Sequence, residues 1–359
     1  MSLAAGANAL QTTAANTLMS KNPLLQLLCT GAVLTSEITY AILSKFDPSV
    51  PSALSRIDRL IMDSKHQSKK NKQQNEQKIA IITGANSGIG YETAKALGRA
   101  GYHVIMACRN LEYAAEAKAR LIRQTGLEDS RFEIMQVDLA SLSSVQGFVK
   151  EFKRRKVALD ILVCNAGVMA CPLGYTQDQV EMQFGTNHLG HFALTTGVLD
   201  QLKDASDGAR VVIVSSMGSF MTAEISYESI EQPAQYSRTV NYGISKLANM
   251  TFAATLARKL EGSGVSVNSL HPGTVVTPLY RHVSGTVGVM KMMESAVMLD
   301  EVAGAVTSVM LALGDGVGSG KFYNRGLIME MHPRARDVRE QDKLWEYSEK
   351  LVAEKSTKR

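Results

Sequence analysis

Cysteine is scarce and irregularly spaced. Four residues (Cys29, Cys108, Cys164, Cys171) in 359 make neither a disulfide framework nor a zinc pattern, so the plain reading is reduced thiols facing the cytosol. Charge of one sign is also missing from most of the chain. The formal net charge is +5. Residues 44–78 alone hold eight Lys/Arg against four Asp/Glu, which leaves the remainder near neutral. A nucleic-acid partner needs a basic face on the folded body, and that is not what this distribution supplies. No arginine precedes Arg56, which argues against an Arg-rich transit peptide. There is no internal repeat. A metal site has little to work with, because His188 and His191 stand three apart with no third ligand evident. Helix packing is the reading for both, and no metal is expected.

Long apolar runs are limited to one. Residues 1–22 are rich in Ala, Asn, Thr and Ser and read as disordered. The segment "LLQLLCTGAVLTSEITYAIL" (24–43) is twenty mostly apolar residues, enough for about 30 Å of helix, the thickness of a bilayer core. Glu37 inside it costs roughly 2.5–3.5 kcal/mol on insertion. The expectation is a membrane-anchor helix over 23–46. The alternatives are an amphipathic helix packed on the body and a cleaved presequence. Residues 47–77 read as a basic linker, whose lysines 69, 70 and 72 would touch anionic headgroups or simply be solvated. Positive residues there place the body on the cytosolic side. A chain starting near Ser64 is then expected to fold without the anchor.

From residue 78 the pattern alternates. "KIAIITG", "HVIMAC", "FEIMQVD", "LDILVCNAG", "RVVIVSS" and "VSVNSLHPG" are apolar runs without in-out alternation, with helical stretches between them. Such strands are buried on both faces. The expected fold over 78–359 is therefore α/β, a doubly wound parallel sheet of about seven strands with helices on both faces. "TGANSGIG" (83–90) joins the first strand to the first helix. There, glycine permits a tight turn at Gly84, close backbone approach to a pyrophosphate at Gly88 and helix–strand packing at Gly90. The helix N-terminus adds N–H groups and a positive dipole end. Thr83, Gly84, Asn86, Ser87, Gly88, Ile89 and Gly90 are thus candidate dinucleotide-binding residues. An acidic residue at the end of the second strand would hold the 2′-hydroxyl of NAD. None stands at Ala107 or Cys108, and Arg109 follows. A guanidinium suits the 2′-phosphate of NADP.

"NYGISK" (241–246) puts Tyr242 and Lys246 on one helical face. A tyrosine titrates at about 10, too high for proton transfer near neutrality. A neighbouring ammonium favours its phenolate.

The spacing Gly-x-x-x-Gly-x-Gly, with "VDL" (137–139), "NAG" (165–167), "NHLGHF" (187–192), "VSS" (214–216), "YGISK" (242–246) and "HPGTVVT" (271–277), resembles the short-chain dehydrogenase/reductase family across roughly residues 78–350. The variants "ACR", "SKLAN" and "HPGTV" are most similar to its retinol dehydrogenase and WW-domain-oxidoreductase branch, although no WW domain is visible. Cys164 replaces the first Asn of the family's "NNAG", with Asn165 retained. The resemblance implies an NADP-dependent oxidoreductase with a Tyr242, Lys246, Ser216 and Asn187 tetrad. Tyr242 would move the proton, and Lys246 would assist it and hold the nicotinamide ribose. Ser216 would bond the substrate oxygen, and Asn187 would anchor a relay water. The resemblance also implies that Asp138 and Leu139 meet the adenine and that Asn165, Ala166 and Gly167 line the adenosine side. Pro272, Gly273 and Thr277 would meet the nicotinamide end, and His271 is read as structural. Arg109 is the matching NADP determinant.

Segments following Ser216 and Thr277 would flank the cleft mouth. The second carries Met290, Met292, Met293 and Met298, which suit an adaptable apolar pocket or an ordinary helix face. The expected substrate is a lipid-like aldehyde, ketone or alcohol; retinoids, other long-chain carbonyls and steroids all fit. The expected location is a membrane, first the endoplasmic reticulum, then the mitochondrion or lipid droplet. A homo-oligomer is left open. The other function class is a non-catalytic nucleotide-binding scaffold or sensor of the same fold.

Overall fold

The computed structural model describes residues 51–70, 77–275 and 299–356. The expected anchor over 24–43, Thr277 and the methionine-rich segment lie outside the described residues. Among the described residues no helix is long and apolar enough to cross a membrane.

One eight-stranded sheet runs in the order β3-β2-β1-β4-β5-β6-β7-β8. The six strands expected from sequence appear as β1 (Ile79–Thr83), β2 (His103–Cys108), β3 (Phe132–Gln136), β4 (Ile161–Cys164), β5 (Arg210–Val214) and β6 (Ser266–His271). Two more follow, β7 (Lys321–Asn324) and β8 (Leu327–Met329). Neighbours are parallel except β8, which turns back antiparallel on β7. The absence of alternation is explained by β1. Ala80 and Ile82 enter the core on one face, and Ile79 and Ile81 enter it on the other. Burial on both faces selects apolar residues at every position.

The first face is covered by α1 (Ala53–Lys70), α2 (Gly88–Ala100), α3 (Leu111–Thr125) and α7 (Glu301–Leu313). The second is covered by α4 (Leu142–Arg154), α5 (Gly190–Gly197), α6 (Arg238–Lys259) and α8 (Val338–Ser356). Their ends follow ordinary capping chemistry. Asn110 and Asp300 accept from Tyr113 N and Ala303 N at the starts of α3 and α7. Gly101, at φ +108, closes α2 with a left-handed turn.

Helix α1 corrects the reading of 47–77 as a linker. Ile57 and Ile61 stand four apart and are buried with Leu97 of α2 and Val306 and Val309 of α7. Asp58 pairs with Arg99 at 2.8 Å, and Gln67 donates to Asp315. Two isoleucines on one stripe were enough to dock a helix whose other residues are mostly polar.

The strand order reverses between β1 and β4. Chains leaving their C-terminal ends diverge, opening the crevice where ligands bind in such sheets.

Candidate functional site

The loops leaving β1, β4, β5 and β6 line this crevice. On the β1 side Gly84 (φ +68) and Gly88 (φ +60) adopt left-handed backbone that β-carbons disfavour. A Cβ on Gly90 would collide with Gly84 O and the Asn165 side-chain amide. Asn86, Ser87 and Ile89 are half-buried along the turn. Ser87 is extended and its side chain makes no cap bond to α2.

Thr83 is buried at the end of β1. Its Oγ1 accepts from Asn165 N at 2.9 Å and Ala166 N at 3.0 Å. The Asn165 side chain donates to Thr83 O at 2.9 Å. The hydroxyl therefore holds the crevice's two walls together. Arg109 is exposed at the end of β2, its main-chain oxygen accepting from Gln136. No carboxylate pairs with it among the described residues. Asp138 Oδ1 accepts from Ala140 N at 2.9 Å, and Leu139 is buried beneath Gly190. After β6 come Pro272 and Gly273, the latter at φ +99 against Leu299.

Tyr242 and Lys246 lie one turn apart on α6, with Lys246 Nζ 5.9 Å from the centre of the tyrosine ring. Nζ is buried and donates to Val214 O at 3.0 Å. Desolvation lowers its pKa from 10.5 to about 8. Ser216 follows β5, and its Oγ accepts from Gly218 N at 3.0 Å. A Cβ on Gly218 would lie 3.2 Å from Tyr242 Cε1 and 3.4 Å from Ser216 Oγ, so this glycine lets the two side chains approach.

Asn187 sits in a π-helical segment, Gly185–Leu189, where Gly190 N bonds back to Gly185 O. Such bulges gather at functional sites. Its Oδ1 accepts from Val168 N at 2.8 Å. Its Nδ2 donates to Val168 O and Ser245 Oγ, both at 2.9 Å. These bonds occupy both amide hydrogens, so the side chain is a fixed strut. A Cβ on Gly167 would lie 2.9 Å from Asn187 Oδ1 and 3.6 Å from Lys246 Nζ. Residues 167, 187, 216, 242 and 246 thus meet in one place.

Three participants escaped the sequence reading: Gly218, Ser245 and His191. Ser245 lies within a motif already noted and Gly218 two residues beyond one, but their contacts depend on the π segment and on the turn after β5. His191 was assigned to packing alone. Its partner on that motif, His188, does pack, against Phe184 and Phe252, and bonds Ser348 Oγ of α8 at 2.9 Å.

The family model described as short chain dehydrogenase matches residues 78–287. Human retinol dehydrogenase 14 is 40% identical over 292 residues, covering 77% of this chain and 86% of that protein. The Brassica napus short-chain dehydrogenase TIC 32 B, chloroplastic, is 38% identical over 283 residues, covering 76% and 88%. Among solved structures, an uncharacterised Mycobacterium paratuberculosis protein is similar at TM-score 0.61 and 33% identity, covering 77% and 94%. A Pseudomonas aeruginosa RhlG/NADP complex is similar in fold at TM-score 0.56 and 24% identity, covering 69% and 94%.

Proposed function

The chain belongs to the short-chain dehydrogenase family as a retinol-dehydrogenase-like oxidoreductase, and from that premise we propose that it interconverts a lipid-like carbonyl and its alcohol with NADP(H). The observation that carries this is the meeting of Tyr242, Lys246, Ser216 and Asn187 beside a glycine cradle.

The residues fit a dinucleotide. The turn at Gly84, Gly88 and Gly90 leaves no β-carbon where a pyrophosphate would lie, and the Ser87 side chain makes no cap bond at the start of α2. Asp138, Leu139, Asn165, Ala166 and Gly167 line the adenosine side; Pro272 and Gly273, with Thr277, serve the other end. When bound, the nicotinamide supplies or accepts the hydride. The protein supplies the rest. Ser216 Oγ bonds the substrate oxygen, and Tyr242 gives that oxygen its proton in reduction or removes it in oxidation. The Lys246 ammonium favours the phenolate and holds the ribose, and Asn187 keeps the backbone at 168 in place beside it.

Arg109 supports NADP over NAD, because no acid opposes a 2′-phosphate there. A lipid-like substrate is supported by the retinol dehydrogenases among the relatives. Met221 and Val240, close in sequence to Ser216 and Tyr242, are also exposed apolar side chains. Attachment to a membrane, first the endoplasmic reticulum with the body on the cytosolic side, rests on residues 24–43 and completes the proposal.

The test is NADPH oxidation by the full chain with long-chain aldehydes, retinal included. Tyr242→Phe removes one hydroxyl, and turnover should fall roughly 100- to 10,000-fold, the share of acid–base catalysis, with NADPH affinity unchanged. A variant keeping a tenth of the rate overturns the assignment. Tight NADPH binding without turnover on any substrate favours the scaffold.

A further inference from the structure

We propose that His191 is a positioning residue, one neutral imidazole that ties the floor of the cofactor cradle to the main chain of Asn187. The proposal rests on the reading of Asn187 and Lys246 given above.

His191 lies in the first turn of α5, four residues after Asn187 and just beyond the π segment. It is buried, and both ring nitrogens are in contact. Nδ1 is 2.9 Å from the main-chain oxygen of Asn187, and Nε2 is 2.8 Å from Thr83 Oγ1. These partners fix the tautomer. A carbonyl oxygen only accepts, so the hydrogen belongs on Nδ1. Burial, with the positive Lys246 nearby, lowers the ring's pKa to about 4, so at neutral pH the ring is uncharged with a single N–H. Nε2 is then bare and accepts the Thr83 hydroxyl hydrogen. The other acceptor within reach of that hydrogen, Val163 O, is farther away at 3.3 Å.

The direction of the remaining bonds follows. With its hydrogen given to His191, Thr83 Oγ1 has both lone pairs for Asn165 N–H and Ala166 N–H. The order runs from the β4 loop, through Thr83, through the imidazole, to the Asn187 carbonyl. Each link polarises the next. A charged imidazolium would break it, since Nε2–H would claim a lone pair that one loop amide now uses. The catalytic side chains and the cradle belong to different elements, and this ring is a direct polar bridge between the two. Asn187, in turn, braces residue 168 next to Gly167, which packs against Lys246 Nζ.

Two measurements test this. The first needs no substrate. In the full chain carrying ¹⁵N-histidine, nitrogen shifts should show His191 neutral and protonated on Nδ1 from pH 7 down to pH 5. An Nε2–H tautomer, or an imidazolium at pH 6, overturns the proposal whatever the enzyme's activity. The second separates the two bonds. In His191→Asn the amide nitrogen falls near Nδ1 and keeps the Asn187 link. In His191→Gln the amide oxygen, turned to the Nε2 position, accepts from the Thr83 hydroxyl and keeps only that link. His191→Phe keeps neither. kcat should fall roughly tenfold in the Gln and Phe variants, about the worth of one buried hydrogen bond. The Asn variant should recover most of it, with the carbonyl substrate's KM unchanged. NADPH affinity should weaken in Asn and Phe but hold in Gln. Losses that simply follow melting temperature across all three overturn the positioning role. Absence of turnover in wild type with the Nδ1–H tautomer intact counts against the catalytic reading alone.

Discussion

Lys246 holds its ammonium where burial opposes charge. Nζ has Val214 O for an acceptor and pairs with no carboxylate among the described residues. A lysine whose folded pKa is depressed carries fewer protons folded than unfolded between the two values, here about 8 and 10.5. Stability therefore rises with pH across that window, and the cost of burying the charge is fully present below it. Lys246→Met should make the nucleotide-free protein more stable than wild type at pH 7, with the gap closing toward pH 10.5 and catalysis lost throughout. Urea unfolding at a series of pH values measures it; a Met variant less stable at pH 7 refutes it. Arg109 is a surface residue, and the proposed NADP(H) specificity makes a prediction for it. Arg109→Ala should weaken NADPH about thirtyfold, as loss of a charged hydrogen bond does, and leave NADH nearly unchanged. Titration by nucleotide fluorescence checks this. Equal weakening of both cofactors, or a wild type that prefers NADH, counts against it. The residue types at these positions were readable in sequence because each stands in a motif, Arg109 directly after β2 and Lys246 one turn beyond Tyr242 on α6. Bond directions were not. Nothing in "NHLGHF" tells that one histidine bonds Thr83 and Asn187 while the other bonds Ser348.

At the level of elements, strands buried on both faces announced themselves by unbroken apolar runs. Three elements did not: β7, β8 and α1. β8 is three residues long and follows a turn in which Arg325 (φ +51) and Gly326 (φ +86) both have positive φ. Such turns usually advertise themselves by Asn-Gly or Asp-Gly, and an arginine in the first place hides the signal. α1 was masked by composition, since the lysine- and glutamine-rich stretch beyond it outweighs Ile57 and Ile61. This changes where the chain can be cut. A protein starting at residue 51 should fold, bind NADPH and leave the membrane pellet. One starting at Ser64 loses both isoleucines and the Asp58–Arg99 pair. Buried Ile truncations cost about 2–5 kcal/mol each, so two are comparable with a whole domain's margin of about 5–15 kcal/mol. The shorter protein should aggregate or melt far lower. Equal melting of the two would show that α1 is dispensable. Sedimentation of the longer one with membranes would place attachment elsewhere.

At the scale of the molecule, the parallel order and its reversal between β1 and β4 collect residues 84, 167, 216, 242 and 246 into one crevice from positions up to 162 apart in the chain. That gathering follows from topology, and in the sequence it was legible only through the family resemblance of the motifs.

The same topology sets a timetable. α1 docks against α7, and Ile57 is buried in the same cluster as Val306 and Val309, about 250 residues later. At 5–20 residues per second the partner emerges roughly 12–50 s after α1 leaves the ribosome. Closing so long a span costs about 5 kcal/mol of chain entropy. During that interval an apolar stripe has only α2 to rest on, so a nascent chain halted before Leu313 keeps a sticky helix at its front. The α1–α7 contact therefore waits for the synthesis of α7, and the first face is sealed only when most of the polypeptide has been made.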